Sequence, residues 1–374
     1  MVTLVVGQVA GTLLSPKVFI IDFFTSEASV WYGIPEFNLL ARNISVPGLS
    51  PLFPTVHCTQ DGIVCQVITG EAEINAASTI TALYLSPSFN LQKTYFLLAG
   101  IAGISPRMAT LGSVTFARFS VQVALQFEFD AREKPSNSFT GYIPQGATSP
   151  DQCPTIIYGT EVFQLNDALR QRAIAFAKTA KLNDTASAQA YRAKYKPNPQ
   201  FAAAVAPPSI VACDSATSDN FWTGNFLAQA FENTVMVFTN GSGTYCTTQQ
   251  EDNGVLEALL RGALAGRVDF GRIIEMRTGS DFDRPAPGMT AADNLFNGAD
   301  AGFEAALLNI HTAGVKVIEG IIMNWASTFA AGIPPTNNIG DVFGSLGGEP
   351  LLGARDQVAL SRRSRIPSSV LVRL

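Results

Sequence analysis

Apolar runs of strand length alternate along this chain with longer stretches whose apolar residues recur at helical spacing, a pattern that few architectures accept. Residues 17–21, Lys-Val-Phe-Ile-Ile, read as a first buried strand, 94–98 as a second and 272–277 as a late one. Residues 112–117, 121–127 and 209–213 read as further strands, and 56–68 as a hairpin about Asp61-Gly62. Between them, 72–85, 167–182, 186–195, 226–231, 251–264 and 302–328 read as helices, the last with a break near Gly314. Residues 197–208 read as a Pro- and Ala-rich connector, and 337–350 as a Gly-rich loop. The alternation predicts an α/β fold, a parallel or mixed sheet covered by helices on both faces. A ligand then belongs beyond the carboxyl ends of the strands.

At 374 residues the chain suffices for one large domain or two smaller ones. Its 47% hydrophobic and 15% charged residues are globular proportions. A net charge of −5 argues against a nucleic-acid partner, which needs a basic surface. The one basic cluster, 355–373, reads as part of a disordered tail over 351–374. No run of about 18 apolar residues occurs, so no membrane span is expected. Residues 1–15 read as an extension or as the remnant of a signal's apolar core, although no basic segment precedes it.

Of five cysteines, Cys58 and Cys65 flank the Asp-Gly turn, which a two-residue connection would place directly opposite each other. A cross-strand disulfide and a pair of buried thiols are both open there. No spacing matches a zinc site, and two histidines are too few for a His-rich metal centre, so neither metal nor cofactor is expected. Sequons at Asn43, Asn183 and Asn240, taken with the cysteines and the apolar start, point to secretion, with a cytoplasmic location the alternative.

Four clusters fall at predicted strand or helix ends. Asp22-Phe-Phe-Thr-Ser-Glu27 follows the first strand, and Gly100-Ile101-Ala102-Gly103 the second, where small residues let a ligand approach the backbone. The segment 217–222, with Asp219, Phe221 and Trp222, mixes polar groups with rings able to stack on a planar base. Glu251-Asp252-Asn253 opens a helix, and Ser280-Asp281 closes the late strand. Each also has a plain structural use: Asp281 as a turn cap, Glu27 as a helix-terminal charge, Phe221 as core. The glycine stretch lacks both the dinucleotide Gly-x-Gly-x-x-Gly pattern and a Walker lysine.

Several stretches carry a specific resemblance: Pro16-Lys-Val-Phe-Ile-Ile-Asp22, Val46-Pro-Gly-Leu-Ser-Pro-Leu-Phe53, Gly70-Glu-Ala-Glu-Ile-Asn-Ala76, Ala99-Gly-Ile-Ala-Gly-Ile104, Ala109-Thr-Leu-Gly-Ser-Val-Thr-Phe-Ala-Arg118 and Met276-Arg-Thr-Gly-Ser-Asp-Phe-Asp-Arg284. Over roughly 16–350 the chain resembles the fungal and bacterial purine nucleoside permeases. The order of its clusters is similar, more distantly, to that of the nucleoside phosphorylase superfamily, which includes the methylthioadenosine/S-adenosylhomocysteine nucleosidases. The second resemblance implies one domain over 16–350, a three-layer α/β/α sandwich with a central twisted mixed sheet, and a homodimer. It also implies a purine nucleoside as ligand. Carried over by position, Glu27 takes the place of the water-activating carboxylate and Asp281, beside Ser280, that of the general acid at purine N7. Glu251, with Asp252 as a one-residue alternative, falls on the ribose-diol ligand, Phe221 on the stacking ring, and Thr69-Gly70-Glu71 on a Gly-Ile-Gly turn. The interval from Glu251 to Asp281 is longer than in the small nucleosidases.

These residue types suit N-glycosidic cleavage. A purine leaves poorly as an anion, so a proton at N7 assists, and a second carboxylate readies water. The acidic turn at Thr69-Gly70-Glu71-Ala72-Glu73 and the carboxylate at 27 favour hydrolysis over phosphorolysis, with Arg42 and Arg118 the available phosphate ligands. The expected activity is a purine nucleoside hydrolase acting on inosine, adenosine or guanosine. The alternatives are a purine nucleoside phosphorylase and a non-catalytic nucleoside-binding protein serving uptake.

Overall fold

The computed structural model describes residues 13–298 and 300–353. In chain order the first elements are β1 (Val18–Asp22), α1 (Thr25–Ser29), β2 (Arg42–Ser45), β3 (Thr55–Cys58), β4 (Val64–Ile68), α2 (Glu73–Leu85) and β5 (Tyr95–Ile104). Next come β6 (Val114–Phe116), β7 (Phe119–Gln122), the pair β8 (Phe127–Glu128) and β9 (Tyr142–Ile143), then β10 (Val162–Gln164), α3 (Asp167–Ala177) and α4 (Ala186–Arg192). The last are β11 (Ile210–Ala212), β12 (Asp214–Thr217), α5 (Asn225–Phe238), β13 (Tyr245–Gln249), α6 (Asp252–Leu264), β14 (Ile273–Phe282), α7 (Ala291–Gly298), α8 (Phe303–Met323) and β15 (Gly340–Asp341).

Thirteen of the strands form one mixed sheet. Its centre is parallel, with β4, β1, β5 and β14 side by side, while β13 meets β5 antiparallel and β6 meets β14 antiparallel. Residues of β1 alternate between two cores, as period-two geometry requires. Phe19 and Ile21 pack with Ile80 and Leu83 of α2 and Leu256 and Leu259 of α6. Val18 and Ile20 pack with Leu169 and Ala173 of α3 and Ile310 and Val317 of α8 on the other face. Helices therefore cover both faces, the three layers expected from the sequence.

Several expected boundaries move for identifiable reasons. The strand expected to stop at 98 runs on to Ile104, and that expected to stop at 277 runs on to Phe282. Their small residues lie inside strands because neighbouring side chains cross over them. A Cβ on Gly100 would stand 2.5 Å from Arg277 Nη1. The strand expected over 121–127 lies earlier, at Phe119–Gln122, and the helix expected over 226–231 extends to Phe238. Helix α8 is unbroken at Gly314, where the missing side chain admits the Trp31 ring, 2.6 Å from an added Cβ. By length and hydropathy α8 meets the measure of a membrane span, unlike what the sequence reading expected. Half of its apolar window is buried against this core, and Glu304, His311, Lys316 and Glu319 interrupt it.

Cys58 and Cys65 are register partners and form a disulfide. Their connection is longer than two residues: Gly62, at φ +72°, donates to Thr59 O to close the turn. Cys213 and Cys246 form a second disulfide beside β12 and β13. At the C-terminal side, 351–353 form one 3-10 turn. The rest of the expected tail, and residues 1–12 of the expected N-terminal extension, lie outside the described residues.

Candidate active site

The strand edge that β1 leaves open builds the site. On that edge β5 pairs with β1 through Leu98 and with β13 from Gly103, so residues between have no strand partner. Unpaired buried peptide groups need other partners, and two side chains supply them. Ile101 N–H donates to Glu27 Oε1 at 2.7 Å, and Arg277 Nη1 donates to Ile101 O at 2.9 Å. Arg277 starts on β14, on the opposite edge of β5, and crosses the sheet over Gly100 to reach this gap.

Glu27 sits on α1, immediately after β1. Its other oxygen, Oε2, accepts from Phe23 N–H at 2.8 Å, so both oxygens point at donors. Burial pushes its carboxyl well above the ordinary range, against the opposing pull of Arg277. Below it, Asp22 accepts from Trp31 Nε1 and Gln66 Nε2, and burial raises it to about 7. Arg277 lies 4.0 Å over the Phe23 ring. Its Nη2 reaches Glu251 Oε2 at 3.0 Å and Asp252 Oδ1 at 2.5 Å, and its Nε reaches Asp252 Oδ2 at 3.2 Å. Burial alone would lower the Arg277 pKa, but Asp252 and Glu251 outweigh it and keep the guanidinium charged.

Asp281 flanks the other end of the gap. A register irregularity between Gly279 and Asp281 shifts β14 against β5, as a bulge does when it re-aims a side chain. A Cβ on Gly103 would lie 3.3 Å from Asp281 Oδ2. Ser280 Oγ donates to Asp281 Oδ1 at 2.8 Å, with Ala102 O a second acceptor at 3.1 Å. Burial raises the Asp281 carboxyl to about 6, and nearby Asp283 adds to the rise. Gly100 and Gly103, which the two carboxyls flank, are three residues apart, roughly 10 Å at strand rise.

Between these ends lies a cavity of about 290 Å³, the lower end of small-molecule pocket sizes. Glu27, Ile101, Ala102, Phe221, Glu251, Ser280 and Asp281, all singled out from the sequence, line it. Three others do not. Gly100 lies under Arg277, and Asp252 is fully buried behind Glu251 on the same guanidinium. Asp219 is turned away, its Oδ1 accepting from Glu73 N–H at 2.8 Å at the start of α2.

The sequence reading missed Arg277, Phe24, Phe303 and Asp300 as wall residues, and gave Glu71 and Trp222 no firm role. The signal for Arg277 was present: a charge inside an otherwise buried strand demands partners. Phe24 and Phe303 come from distant segments and meet at 6.4 Å between ring centres, which no local spacing announces. Trp222 is buried with its indole N–H lacking a protein partner. Arg42 lies on the outermost strand β2, and Arg118 donates to Ser242 O; neither reaches the cavity.

A family model described as purine nucleoside permease (NUP) matches residues 15–334. A purine nucleoside permease of Candida albicans is 44% identical over 346 residues, 91% of this chain and 84% of its own. A probable purine nucleoside permease of Schizosaccharomyces pombe is 41% identical over 326 residues, 84% of this chain and 91% of its own. Among solved structures, the 5'-methylthioadenosine/S-adenosylhomocysteine nucleosidase from Neisseria meningitidis, in complex with methylthio-immucillin-A, matches with a TM-score of 0.50 at 11% identity. That match covers 82% of this chain and 99% of the other, and the two share the nucleoside phosphorylase-like α/β fold. The sequence resemblance and the expected fold both hold, and the chain belongs to the purine nucleoside permease family.

Proposed function

We propose that this protein hydrolyses the N-glycosidic bond of purine ribonucleosides, releasing free base and ribose. One observation carries the reading: two buried carboxyls, Glu27 and Asp281, bound opposite ends of a single cavity whose wall also holds Phe221 and Glu251. In this reading Asp281 hands a proton to purine N7 as the bond to C1′ breaks, and the electron pair of that bond departs with the base. Glu27 takes a proton from the water that attacks C1′. Glu251 accepts hydrogen bonds from the ribose 2′- and 3′-hydroxyls, and Phe221, half exposed at the wall, stacks on the base. Ile101, Ala102 and Ser280 complete the contact surface.

Water is favoured over phosphate as nucleophile by charge. Among the described residues, five carboxyl groups line the cavity, Glu27, Glu71, Glu251, Asp281 and Asp300, against Arg277 alone. Every donor nitrogen of Arg277 is already committed within the protein. An anionic nucleophile would enter against like charge with no free cation to receive it. The two disulfides support an extracellular setting for the reaction, which is part of the proposal.

The relatives' name, permease, favours a second reading: a protein that binds purine nucleosides for uptake without cleaving them. Incubation of the pure protein with inosine, with and without phosphate, separates the readings. Hydrolysis predicts hypoxanthine and free ribose in phosphate-free buffer. Ribose 1-phosphate formed only with phosphate would make it a phosphorylase, and binding without base release over hours would leave uptake.

A further inference from the structure

Beside Asp252 the chain buries an acid that the proposed chemistry does not use. Glu275 lies on β14, two residues before Arg277 and so on the same face of the strand, with its side chain inside the protein and no N–H donor at either carboxyl oxygen. Asp252, which holds Arg277 from the facing helix, and the Ser215 hydroxyl are its polar neighbours. Asp252 is itself fully buried, and both its oxygens are taken up by Arg277. Two touching, buried carboxyls cannot both be ionised, and the donors decide which keeps the charge. Asp252 receives two from a guanidinium; Glu275 has only the Ser215 hydroxyl beside it.

The surroundings point the same way. Glu27 from α1, Glu251 and Asp252 from α6, and Glu275 from β14 all act on Arg277, while Asp22 of β1 and Glu73 of α2 add further acidic groups nearby. One guanidinium cannot balance them all, so some of these acids must hold protons.

We propose that Glu275 is a neutral carboxylic acid whose O–H donates to Asp252, making it a positioning residue for the Asp252–Arg277–Glu251 chain that presents Glu251 to the ribose diol. The role of Glu251 rests on the function proposed above; the protonation of Glu275 does not. Burial and the neighbouring Asp252 charge both push the Glu275 carboxyl well above the ordinary range. With that proton in place Asp252 accepts from both Glu275 and Arg277, Arg277 stays bidentate on it, and Nη2 remains directed at Glu251.

Infrared difference spectra and ligand binding test this on the whole protein. The wild-type minus Glu275→Gln spectrum at neutral pH is expected to contain the carbonyl stretch of a protonated carboxylic acid. A carboxylate pair of bands in its place overturns the proposal. Glu275→Gln keeps a donor toward Asp252 and is expected to bind inosine as the wild type does. Glu275→Leu removes the donor and is expected to weaken inosine by ~10-fold, the scale of one hydrogen bond to a charged group. It should leave 2′,3′-dideoxyinosine unchanged, because that analogue lacks the diol. Equal weakening of both nucleosides, or none of either, overturns the positioning role. If the Leu variant does not fold, the spectrum and Glu275→Gln still decide. Base release by the wild type tests the hydrolase reading separately.

Discussion

Asp281 and Glu27 are both raised by burial, so each holds a proton to higher pH than an ordinary carboxyl does. The competent form has the proton on Asp281 and the charge on Glu27; burial opposes that charge, while Arg277 and the two N–H donors favour it. The rate should therefore follow the singly protonated pair. As pH rises through about 6 Asp281 loses its proton and kcat/KM drops; at lower pH Glu27 takes one up and it drops again. A pH–rate profile that does not fall as pH rises through 6 and above would contradict this. Glu27→Gln puts an amide NH2 against one of two backbone donors, and is expected to cut hydrolysis by about 10²–10⁴-fold, read by base release. Single residues were the most legible level of the sequence for acids at element ends. Glu27, Glu251 and Asp281 were all found there. Asp219 was misread because its carboxylate serves the start of α2, a contact 146 positions away in sequence.

At the level of elements, β5 and β14 make the site by crossing charge over small residues. Gly100 has φ in the ordinary range; it is small because Arg277 Nη1, Glu27 Oε1 and a Phe23 ring carbon occupy the space a Cβ would need, at 2.5, 2.8 and 2.8 Å. Gly100→Ala should therefore displace Arg277, costing ~1–3 kcal/mol in denaturant unfolding and most of the activity. An active, fully stable variant would remove the crossing from the account. The same crowding explains why the sequence misplaced these strand ends: glycines are punctuation to a local reading and clearance to a tertiary one. Strands β12 and β13 escaped notice for a related reason. Ser215, Thr217 and Gln249 are buried yet polar, because they hydrogen-bond to one another and to Asn253, so no apolar run marks them.

Over the whole molecule, the buried acids make stability depend on pH. Asp22 and Glu73 rise to about 7 and Asp281 to about 6, so the folded chain binds protons that the unfolded chain has released. Their stabilising contribution is full below about pH 4 and is lost as pH rises through 6 to 7. Unfolding free energy should fall from pH 5 to pH 8, and Asp22→Asn should flatten that slope; a slope of opposite sign would contradict the burial of these groups as acids. Reduction of the disulfides should lower stability by ~2–4 kcal/mol, seen as a lower Tm with reductant. The layered architecture was legible because β1 and β5 are continuous apolar runs buried on both faces. The pairing of Cys213 with Cys246 was not, since Cys246 lies on β13, a strand the sequence did not reveal. The most direct test of the chemistry is base release from inosine by wild type and by Asp281→Asn, with nucleoside binding measured on both. The account predicts release by the wild type, a loss of ~10²–10⁴-fold in the variant, and unchanged binding. Turnover by Asp281→Asn at the wild-type rate would contradict it.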